Sequence, residues 1–471
     1  MNTLLNCEPK RVLYYFEQLC AIPHGSGNCG AISAYCVKVA TELGLPVTRD
    51  KWDNVIIKKA ASPGYENHEA VILQGHLDMV CEKDADCPID FEKDGLDLFT
   101  EDGWLGAKGT TLGGDDGIAV AMTLAILEDN SLPHPPLEAV FTTDEETGMY
   151  GAEGLDTSDL KGKILLNADS ECEGVLTVSC AGGARVQMRI PLQKQENSAP
   201  CKKLIFSGLK GGHSGVEIDK GRINADILLG HFLKKLPQEA YVVSLFGGTK
   251  DNAIPARAEC VLATREDLSP LIEEFISANR PESDSGLTVE AVDALPANQC
   301  YDRASTQRIA DFLTTVPNGI QAMSTKIEGL VETSLNLGQL KTEESVLSVT
   351  FSVRSSVNRD KLALIDRLQA CCTSFGGTFE SHGHYPAWEY KEDSRLRETM
   401  VKVYRDLHGK DPVVEAIHAG LECGFFCEKI PGLDAVSFGP DMRDIHTPRE
   451  RLSLASVERT YRYLCTILKE L

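Results

Sequence analysis

Positive charge and long apolar runs are both scarce in this sequence of 471 residues. Its 70 acidic residues outnumber its 47 lysines and arginines, and the formal net charge is −23. Nucleic acids and anionic membranes attract basic surfaces, so neither is expected as a partner. The longest strongly apolar stretch, residues 117–127, is too short to span a bilayer, which takes about 20 residues. The opening stretch MNTLLNCEPKR turns polar at Asn6 and predicts no secretory leader.

The sequence also lacks a compact cysteine framework, low-complexity tracts and internal repeats. Its 16 cysteines are scattered, and without a leader they are expected to be reduced thiols in a cytoplasmic protein. Cys423 and Cys427 are four positions apart, but no second Cys or His pair lies nearby, so a structural zinc is not expected there. The length predicts two or three domains.

Helices and strands alternate at both ends of the chain, which predicts an α/β layered sheet. Helices are predicted over residues 8–20, 30–43, 117–128 and 456–471. Strands are predicted over residues 70–74, 138–143, 163–167 and 434–438.

The middle of the chain has a different pattern. Alternating strands such as RVQMRIPL, YVVSLFGG, ECVLATRE and ESVLSVTFSVRSS are interspersed with helices such as INADILLGHFLKKL. Residues 184–387 therefore predict an inserted α+β domain. Residues 1–183 and 388–471 would form the two parts of the α/β domain that surrounds it.

The stretch VILQGHLDMV indicates a possible reactive site. Its apolar first half predicts a buried strand, which then ends in His76, Leu77 and Asp78. A histidine and a carboxylate two residues apart point to the same side of an extended chain. This is either an ordinary polar strand exit or one corner of a site.

Other element boundaries carry the same residue types. The predicted strands in VFTTDEETG, ILLNADSE and VSFGPDMRDIHTP end in acidic residues or histidine, and TLGGDDGIA places two aspartates in a glycine turn before a helix. These residues are Asp144, Glu145, Glu146, Asp169, His446, Asp115 and Asp116. Ligands of open α/β sheets sit at the carboxyl ends of the strands, where such side chains can converge.

Two histidines with several carboxylates form a ligand set suited to Zn²⁺, Co²⁺ or Mn²⁺. Two cations about 3.5–4 Å apart need one bridging carboxylate and can share an activated water. Each motif alone is more often structural: a polar strand exit, a solvated acidic turn, or a tight turn with a helix N-cap. All five in order, each at an element boundary, instead favour a two-metal site.

On these motifs the chain resembles the aminoacylase, carboxypeptidase and dipeptidase family of co-catalytic zinc peptidases, most closely its branch of non-specific dipeptidases. The resemblance covers nearly the whole chain. It rests on LQGHLDMV, TLGGDDGIAVA, TTDEETGMYGAEGL, LLNADSE, GLKGGHSGVEIDKGRINA, DNAIPARAE, FSVRSS, HAGLECG and DIHTP. Many relatives have a lysine after the double aspartate. Gly117 stands there in this chain, as it does in the dipeptidase branch.

The resemblance implies a zinc-exopeptidase-like, three-layer catalytic domain with a mixed sheet, plus an inserted α+β lid. It also implies two divalent ions per chain, with Zn²⁺ preferred and Co²⁺ or Mn²⁺ as alternatives, and a homodimer formed through the lid. The implied metal ligands are His76, Asp115, Glu146, Asp169 and His446, with Asp115 bridging the two ions.

Three further residues would take part in catalysis. By the resemblance, Asp78 would orient the ring of His76, since metal-bound imidazoles commonly need such a carboxylate. Glu145 would be the general base. Glu145 and Glu146 are adjacent, so in an extended chain their side chains would point to opposite sides. One could then bind metal while the other faces the substrate. His213 resembles the lid histidine that stabilises the tetrahedral intermediate, and its alternative is a turn histidine among glycines.

Asn252 and Arg354 resemble residues that anchor the substrate, and HAGLECG resembles the turn that shapes the pocket near the substrate carboxylate. For Arg354 a structural salt bridge is an equal alternative. His418 is either a site residue or a packed turn histidine, and Gly420 belongs to the same turn.

The expected reaction is hydrolysis of small unblocked peptides by a metal-activated water, with Glu145 moving the proton. An N-acyl amino acid deacylase or desuccinylase with the same metal ligands is the first alternative. A metal-binding scaffold without turnover is the second, although a scaffold would not need Asp78, Glu145 or His213.

Overall fold

The structure is a computed structural model that describes Leu4 and residues 7–471. The chain divides into two compact units. Unit 1 runs to Ser179 and resumes over Tyr390–Ala416 and Leu421–Leu471, whereas unit 2 consists of Cys180–Glu389 and Ile417–Gly420. The domain limits expected from the sequence stay a prediction. They are 1–183, 184–387 and 388–471.

The described residues contain twelve α-helices. They are α1 (Lys10–Cys20), α2 (Gly30–Glu42), α3 (Gly114–Glu128), α4 (Glu145–Gly148), α5 (Tyr150–Gly154), α6 (Ala225–Leu233), α7 (Ser269–Ala278), α8 (Arg303–Thr315), α9 (Asn358–Ser374), α10 (Arg395–His408), α11 (Cys423–Lys429) and α12 (Leu454–Glu470). No helix among them is both long enough and apolar enough to cross a membrane.

The same residues contain twenty-five strands. They are β1 (Val47–Arg49), β2 (Val55–Lys59), β3 (Val71–His76), β4 (Leu98–Glu101), β5 (Trp104–Ala107), β6 (Leu137–Thr142), β7 (Ile164–Asn167), β8 (Val175–Cys180), β9 (Gly182–Pro191), β10 (Lys194–Glu196), β11 (Cys201–Ser207), β12 (Gly212–His213), β13 (Tyr241–Gly247), β14 (Ala253–Ile254), β15 (Ala258–Ala263), β16 (Thr288–Ala294), β17 (Gln299–Tyr301), β18 (Gly319–Met323), β19 (Val331–Glu343), β20 (Val346–Ser355), β21 (Thr378–Tyr385), β22 (Val413–Ile417), β23 (Asp434–Ser437), β24 (Met442–Arg443) and β25 (Arg451–Ser453).

Unit 1 is built on a mixed eight-stranded sheet with the order β1-β2-β6-β3-β7-β23-β8-β22. The central strands β6, β3, β7 and β23 are mutually parallel, whereas β2 pairs antiparallel with β6, and β8 antiparallel with β23. Every residue of β3 and β6 is buried, as expected for parallel strands covered on both faces. These strands therefore end at one common edge inside the unit.

A small antiparallel sheet, β24-β25-β5-β4, belongs to the same unit. Leu452 of β25 pairs with Met442 of β24 on one side and with Leu105 of β5 on the other. Leu452 and Leu105 are both fully buried in the core of unit 1. This sheet fixes the connection between β24 and β25, which carries His446.

Unit 2 contains an antiparallel sheet with the order β16-β11-β15-β13-β19-β20-β9-β21, and β18 pairs with β19. Along β9 buried residues alternate with more exposed ones from Ala184 onward, which is the pattern of a sheet with one covered face. Phe206, Phe232 and Phe275 stack edge to face in its core. The two-stranded pair β12 and β14 brings His213 opposite Ala253.

The α/β class predicted from the sequence, with a mixed catalytic sheet and an inserted α+β unit, is confirmed. The four strands predicted around the site correspond to β3, β6, β7 and β23. The helix predicted from Gly117 is also present. α3 is assigned from Gly114, but Asp115 and Asp116 have non-helical dihedrals, so its regular part begins at Gly117. No pair of cysteines in the described residues forms a disulfide.

Two local predictions are wrong. Glu145 and Glu146 do not continue an extended chain, because β6 has ended at Thr142 and Asp144 turns left-handed (φ 55°) into the helical turn α4. His446 does not end the last long strand. That strand is β23, and His446 lies further along, in the connection from β24 to β25, with φ 58°. In both cases the residues make side-chain contacts with distant segments of the chain. A pattern read over a few neighbouring residues does not include such contacts.

Candidate active site

The carboxyl edge of the four parallel strands collects the acidic and imidazole side chains. His76 is the last residue of β3, and Asp169 follows the end of β7. Glu145 and Glu146 open α4, directly after β6. Parallel strands end on the same side of a sheet, so this edge is where a ligand of an α/β protein is expected.

Asp115 lies between the two predicted metal-binding histidines. Its Oδ1 is 3.2 Å from His76 Nε2, and its Oδ2 is 3.2 Å from His446 Nε2. His446 Nε2 is also 2.9 Å from Glu146 Oε1, and His76 Nε2 is 3.9 Å from Asp169 Oδ1. Each carboxylate oxygen of Asp115 therefore serves a different histidine, as a bridging ligand requires.

These spacings fit divalent cations. Zn²⁺ binds nitrogen and oxygen at roughly 2.0–2.1 Å, so two ligand atoms of a tetrahedral ion lie about 3.3 Å apart. Within the described residues, three sets place their ligand atoms within 4.8 Å of one another: His76 with Asp116 and Asp169, His76 with Glu145 and Glu146, and Asp115 with Glu146 and His446. These ligand atoms thus suit two ions. Which residue binds which ion stays a prediction.

The electrostatics of this cluster favour added positive charge. Burial opposes protonation of His76, yet Asp115 and Asp78 outweigh it and raise the pKa of His76 well above its usual value. Hydrogen bonds to Asp115 and Glu146 raise the pKa of His446 to about 10. Burial together with neighbouring carboxylates raises the pKa of Asp169. Carboxylates thus exceed cations here, and a bound metal would relieve their repulsion.

Glu145 lies among other carboxylates at the start of α4. Burial raises its pKa to about 8, and the nearby carboxylates of Glu422, Glu146 and Asp115 act in the same direction. A carboxylate with a raised pKa is compatible with the general-base role expected from the sequence, and that role stays a prediction.

Asp78 holds the backbone around the cluster. Its carboxylate accepts hydrogen bonds from the backbone N–H of Glu145 (3.0 Å) and Glu146 (3.2 Å) and from the Ser26 hydroxyl (2.8 Å). His76 Nδ1 is 2.9 Å from the Asp78 backbone carbonyl and 3.5 Å from its carboxylate. The backbone oxygen therefore makes the closer contact with the ring, and the carboxylate fixes the start of α4.

A second buried layer lies beneath the edge and was missed in the sequence. Glu422 Oε2 accepts hydrogen bonds from Gln74 Nε2 (2.5 Å) and Thr142 Oγ1 (2.6 Å), and Gln74 Oε1 accepts one from Asn167 Nδ2 (2.6 Å). Burial raises the pKa of Glu422 to about 7. Glu422 is part of the motif HAGLECG, whose acidic residue was the available signal.

In unit 2 the structure defines the orientation of His213. Its Nδ1 accepts hydrogen bonds from the backbone N–H of Gly215 (3.1 Å) and Val216 (3.2 Å). A neutral imidazole with one accepting nitrogen carries its proton on the other, so Nε2–H is the free donor. Burial and the nearby Arg354 lower the pKa of His213, which keeps the ring neutral. A Cβ at Gly215 would lie 2.9 Å from this ring, so the position needs glycine.

Arg354 and His418 belong to the same unit. Arg354 is buried and donates to the Tyr385 hydroxyl at 3.1 Å, and its Nε has no partner. Among the described residues Arg354 has no ion pair, and its role stays a prediction. His418 Nε2 is 2.7 Å from Ser334 Oγ, and burial, with the charge of Arg354, lowers the pKa of His418 to about 4.

Asn252 and Gly420 are anchored through their own segments of unit 2. The Asn252 carbonyl accepts a hydrogen bond from Ser214 N–H at 2.8 Å, while the residue itself is exposed. Ala181 N–H donates to the carbonyls of Ile417 and Ala419, which holds the segment that ends at Gly420. His213, Asn252, Arg354, His418 and Gly420 thus belong to unit 2, whereas the metal-ligand candidates all belong to unit 1.

Comparisons with known proteins agree with this geometry. The profile of "Peptidase family M20/M25/M40" matches residues 72–470. The chain is 35% identical over 482 aligned residues to the cytosol non-specific dipeptidase of Escherichia coli K12, covering 100% of this chain and 99% of that protein.

Solved structures show the same likeness. The aminoacylhistidine dipeptidase of Vibrio alginolyticus superimposes with a TM-score of 0.93 at 37% identity, covering 99% of this chain and 98% of that one. Aminopeptidase PepT from Bacillus cereus has a TM-score of 0.60 at 16% identity, over 98% and 99% of the two chains, which shows the fold alone. The family profile and the full-length matches together establish that the chain is a metal-dependent peptidase that belongs to peptidase family M20/M25/M40.

Proposed function

We propose that this peptidase hydrolyses unblocked L-dipeptides, including Xaa-His, with two divalent ions bound at the carboxyl edge of the unit 1 sheet. The observation that carries the proposal is the position of Asp115, whose two oxygens each lie 3.2 Å from a different histidine. One ion would be held by His76 and Asp169, the other by Glu146 and His446, and Asp115 would bridge them. Two such ions supply a polarised scissile carbonyl and a water of lowered pKa.

Glu145 is assigned the proton transfers. It accepts the proton of the attacking water and returns it to the leaving amine nitrogen. Its N–H donates to the Asp78 carboxylate at 3.0 Å, which holds the backbone at the start of α4. A positioned acid and base of this kind contributes about 10²–10⁴ in rate.

His213 is assigned to the oxygen of the scissile carbonyl. Its free Nε2–H is the donor, because two backbone amides occupy Nδ1. A donor aimed at developing negative charge is a large catalytic term, on the order of 10²–10³ in rate.

Arg354 is assigned to the terminal carboxylate of the substrate. A buried guanidinium whose Nε has no partner and which forms no ion pair among the described residues is suited to bind an anionic ligand. His418 and Gly420 would shape the wall beside that carboxylate, and Asn252 would contact the peptide. A fixed carboxylate site limits the length of the substrate on the side of the leaving group, which favours dipeptides.

Zn²⁺ is the proposed ion, because two imidazoles with carboxylates suit it, and Co²⁺ or Mn²⁺ would fit the same ligands. A homodimer through unit 2 and a cytoplasmic location are also proposed. Exposed apolar side chains on unit 2, such as Phe246 and Val292, support an interface. The cytosolic relative from Escherichia coli supports the location.

Active protein is expected to contain two divalent ions per chain. Five candidate ligands, one of them the bridging Asp115, exceed what one tetrahedral zinc uses. Elemental analysis of dialysed, active protein measures the stoichiometry, and chelation followed by stepwise return of Zn²⁺ links it to activity. Full activity with a single ion per chain would refute the two-ion site.

Glu145→Gln is expected to abolish turnover and to retain both ions, because the amide preserves the shape of the side chain but accepts no proton. Glu146→Gln is expected to lower metal occupancy instead. Elemental analysis and kcat, measured on both variants, separate the two effects. If Glu145→Gln loses the ion and Glu146→Gln keeps it, the two roles are exchanged.

Arg354→Met is expected to lower kcat/KM for Ala-His about a hundredfold, since loss of a buried charged contact costs several kcal/mol. The C-terminal amide of Ala-His lacks the carboxylate, so the variant should cleave it as well as the parent protein does. Arg189→Met, which changes an exposed arginine of the same sheet, is the matched control. Equal losses on both substrates would remove Arg354 from carboxylate recognition.

Among short substrates, Ala-His is expected to be preferred over Gly-Gly-His, with N-acetyl-histidine the poorest. The acidic groups around the ions would hold a free amine, and losing that contact costs about a hundredfold. Side-by-side kcat/KM values for the three compounds provide the test. Efficient hydrolysis of N-acetyl-histidine with Ala-His left intact would instead establish a deacylase.

A further inference from the structure

Glu450 is a buried glutamate that the reaction described above does not use. Its Oε2 accepts hydrogen bonds from the backbone N–H of Leu112 (2.7 Å) and Gly113 (3.2 Å), and its Oε1 accepts one from Gly114 (2.8 Å). Only 2% of the residue is exposed. Three N–H donors from consecutive residues thus converge on one carboxylate, and hydrogen bonds to a charged acceptor are the stronger kind.

The turn that Glu450 holds leads directly into the bridging ligand. Leu112, Gly113 and Gly114 immediately precede Asp115, and Gly113 has a left-handed backbone (φ 67°). A Cβ added at Gly114 would lie 3.2 Å from Glu450 Oε1. The glycine pair therefore lets three amides face the carboxylate, and the direction in which the chain leaves the turn sets the position of Asp115.

Glu450 also belongs to the segment that supplies the second histidine. It follows His446 in the connection from β24 to β25, and its N–H donates to the Thr447 carbonyl at 3.0 Å. The next residue, Arg451, begins β25, which is anchored in the small sheet. One carboxylate thus joins two segments whose residues are 336 positions apart in sequence.

The two ion positions depend on this link to different extents. The first would be formed by His76 at the end of β3, Asp169 after the neighbouring strand β7, and the shared ligand Asp115, so one of its three ligands comes from the segments that Glu450 joins. The second needs Asp115 and His446 to meet Glu146, and two of these three residues come from the segments that Glu450 joins. If those two segments shift relative to each other, binding of the second ion should therefore be weakened more than binding of the first.

A purely structural clamp in the same unit provides the comparison. Glu138, at the amino end of β6, is 4% exposed and accepts hydrogen bonds from the backbone N–H of Lys161 and Gly162, each at 2.9 Å. It lies at the opposite end of its strand from α4. Glu138 and Glu450 share burial and backbone N–H donors, but Glu138 also pairs with Lys58 Nζ at 3.5 Å, and the two differ in what the clamped turn carries.

We propose that Glu450 is a positioning residue for the second metal ion, holding the turn before Asp115 in register with His446. The proposal rests on the two-ion function proposed above. It concerns cation binding in the absence of peptide, so its outcome does not depend on which peptides are cleaved.

The test is calorimetric titration of Zn²⁺ into chelated full-length protein, together with thermal unfolding of the ion-free form. For Glu450→Gln, the first ion is expected to bind within a fewfold of the parent affinity. The second is expected to bind about 10–100-fold more weakly, as is typical when groups that orient ligands are removed. Glu138→Gln should lower the unfolding temperature but leave both affinities unchanged.

Glu450→Asp retains the charge with a shorter reach, and it is expected to bind the second ion with intermediate affinity. It also replaces the glutamine variant if that variant does not fold. Parent affinities for both ions in the folded Glu450 variants, with lowered stability alone, would overturn the proposal and make Glu450 equivalent to Glu138. Fewer than two ions in the parent protein would instead refute the two-ion function itself.

Discussion

The site depends on one shared carboxylate. Asp115 offers Oδ1 to His76 and Oδ2 to His446 at equal distances of 3.2 Å, so a single side chain determines how far apart the two histidines can lie. Its pKa is lowered, against the effect of burial, by hydrogen bonds to both histidines. The surrounding carboxylates are crowded together without enough cations to neutralise them. The whole edge is thus organised to receive divalent charge.

Much of the site could be predicted because it follows from strand ends. The apolar runs that lead to His76 and Asp169 become parallel strands whose carboxyl ends share an edge. The α/β class followed from the same periodicity. The resemblance then suggested roles for these residues, which the residue types alone left open.

The rest depended on contacts between distant segments. Glu145 and Glu146 form a helical turn because Asp78 binds their amides, and His446 lies between two short strands whose pairing involves β5. Glu422 gives no periodic signal, since its partners Gln74 and Thr142 lie hundreds of residues earlier. Patterns within a short window describe local conformation, and these positions are set by tertiary hydrogen bonds.

The order of the strands has a consequence for biosynthesis. Asp115 and His446 are 331 residues apart, and β23, which comes late in the chain, lies between β7 and β8 in the sheet. At about 5–20 residues per second, a ribosome needs roughly 15–70 s to travel from one to the other. During that interval the nascent chain carries a carboxylate whose second histidine has not been made. The pair of histidines around Asp115 is therefore complete only once the segment that carries His446 has been made.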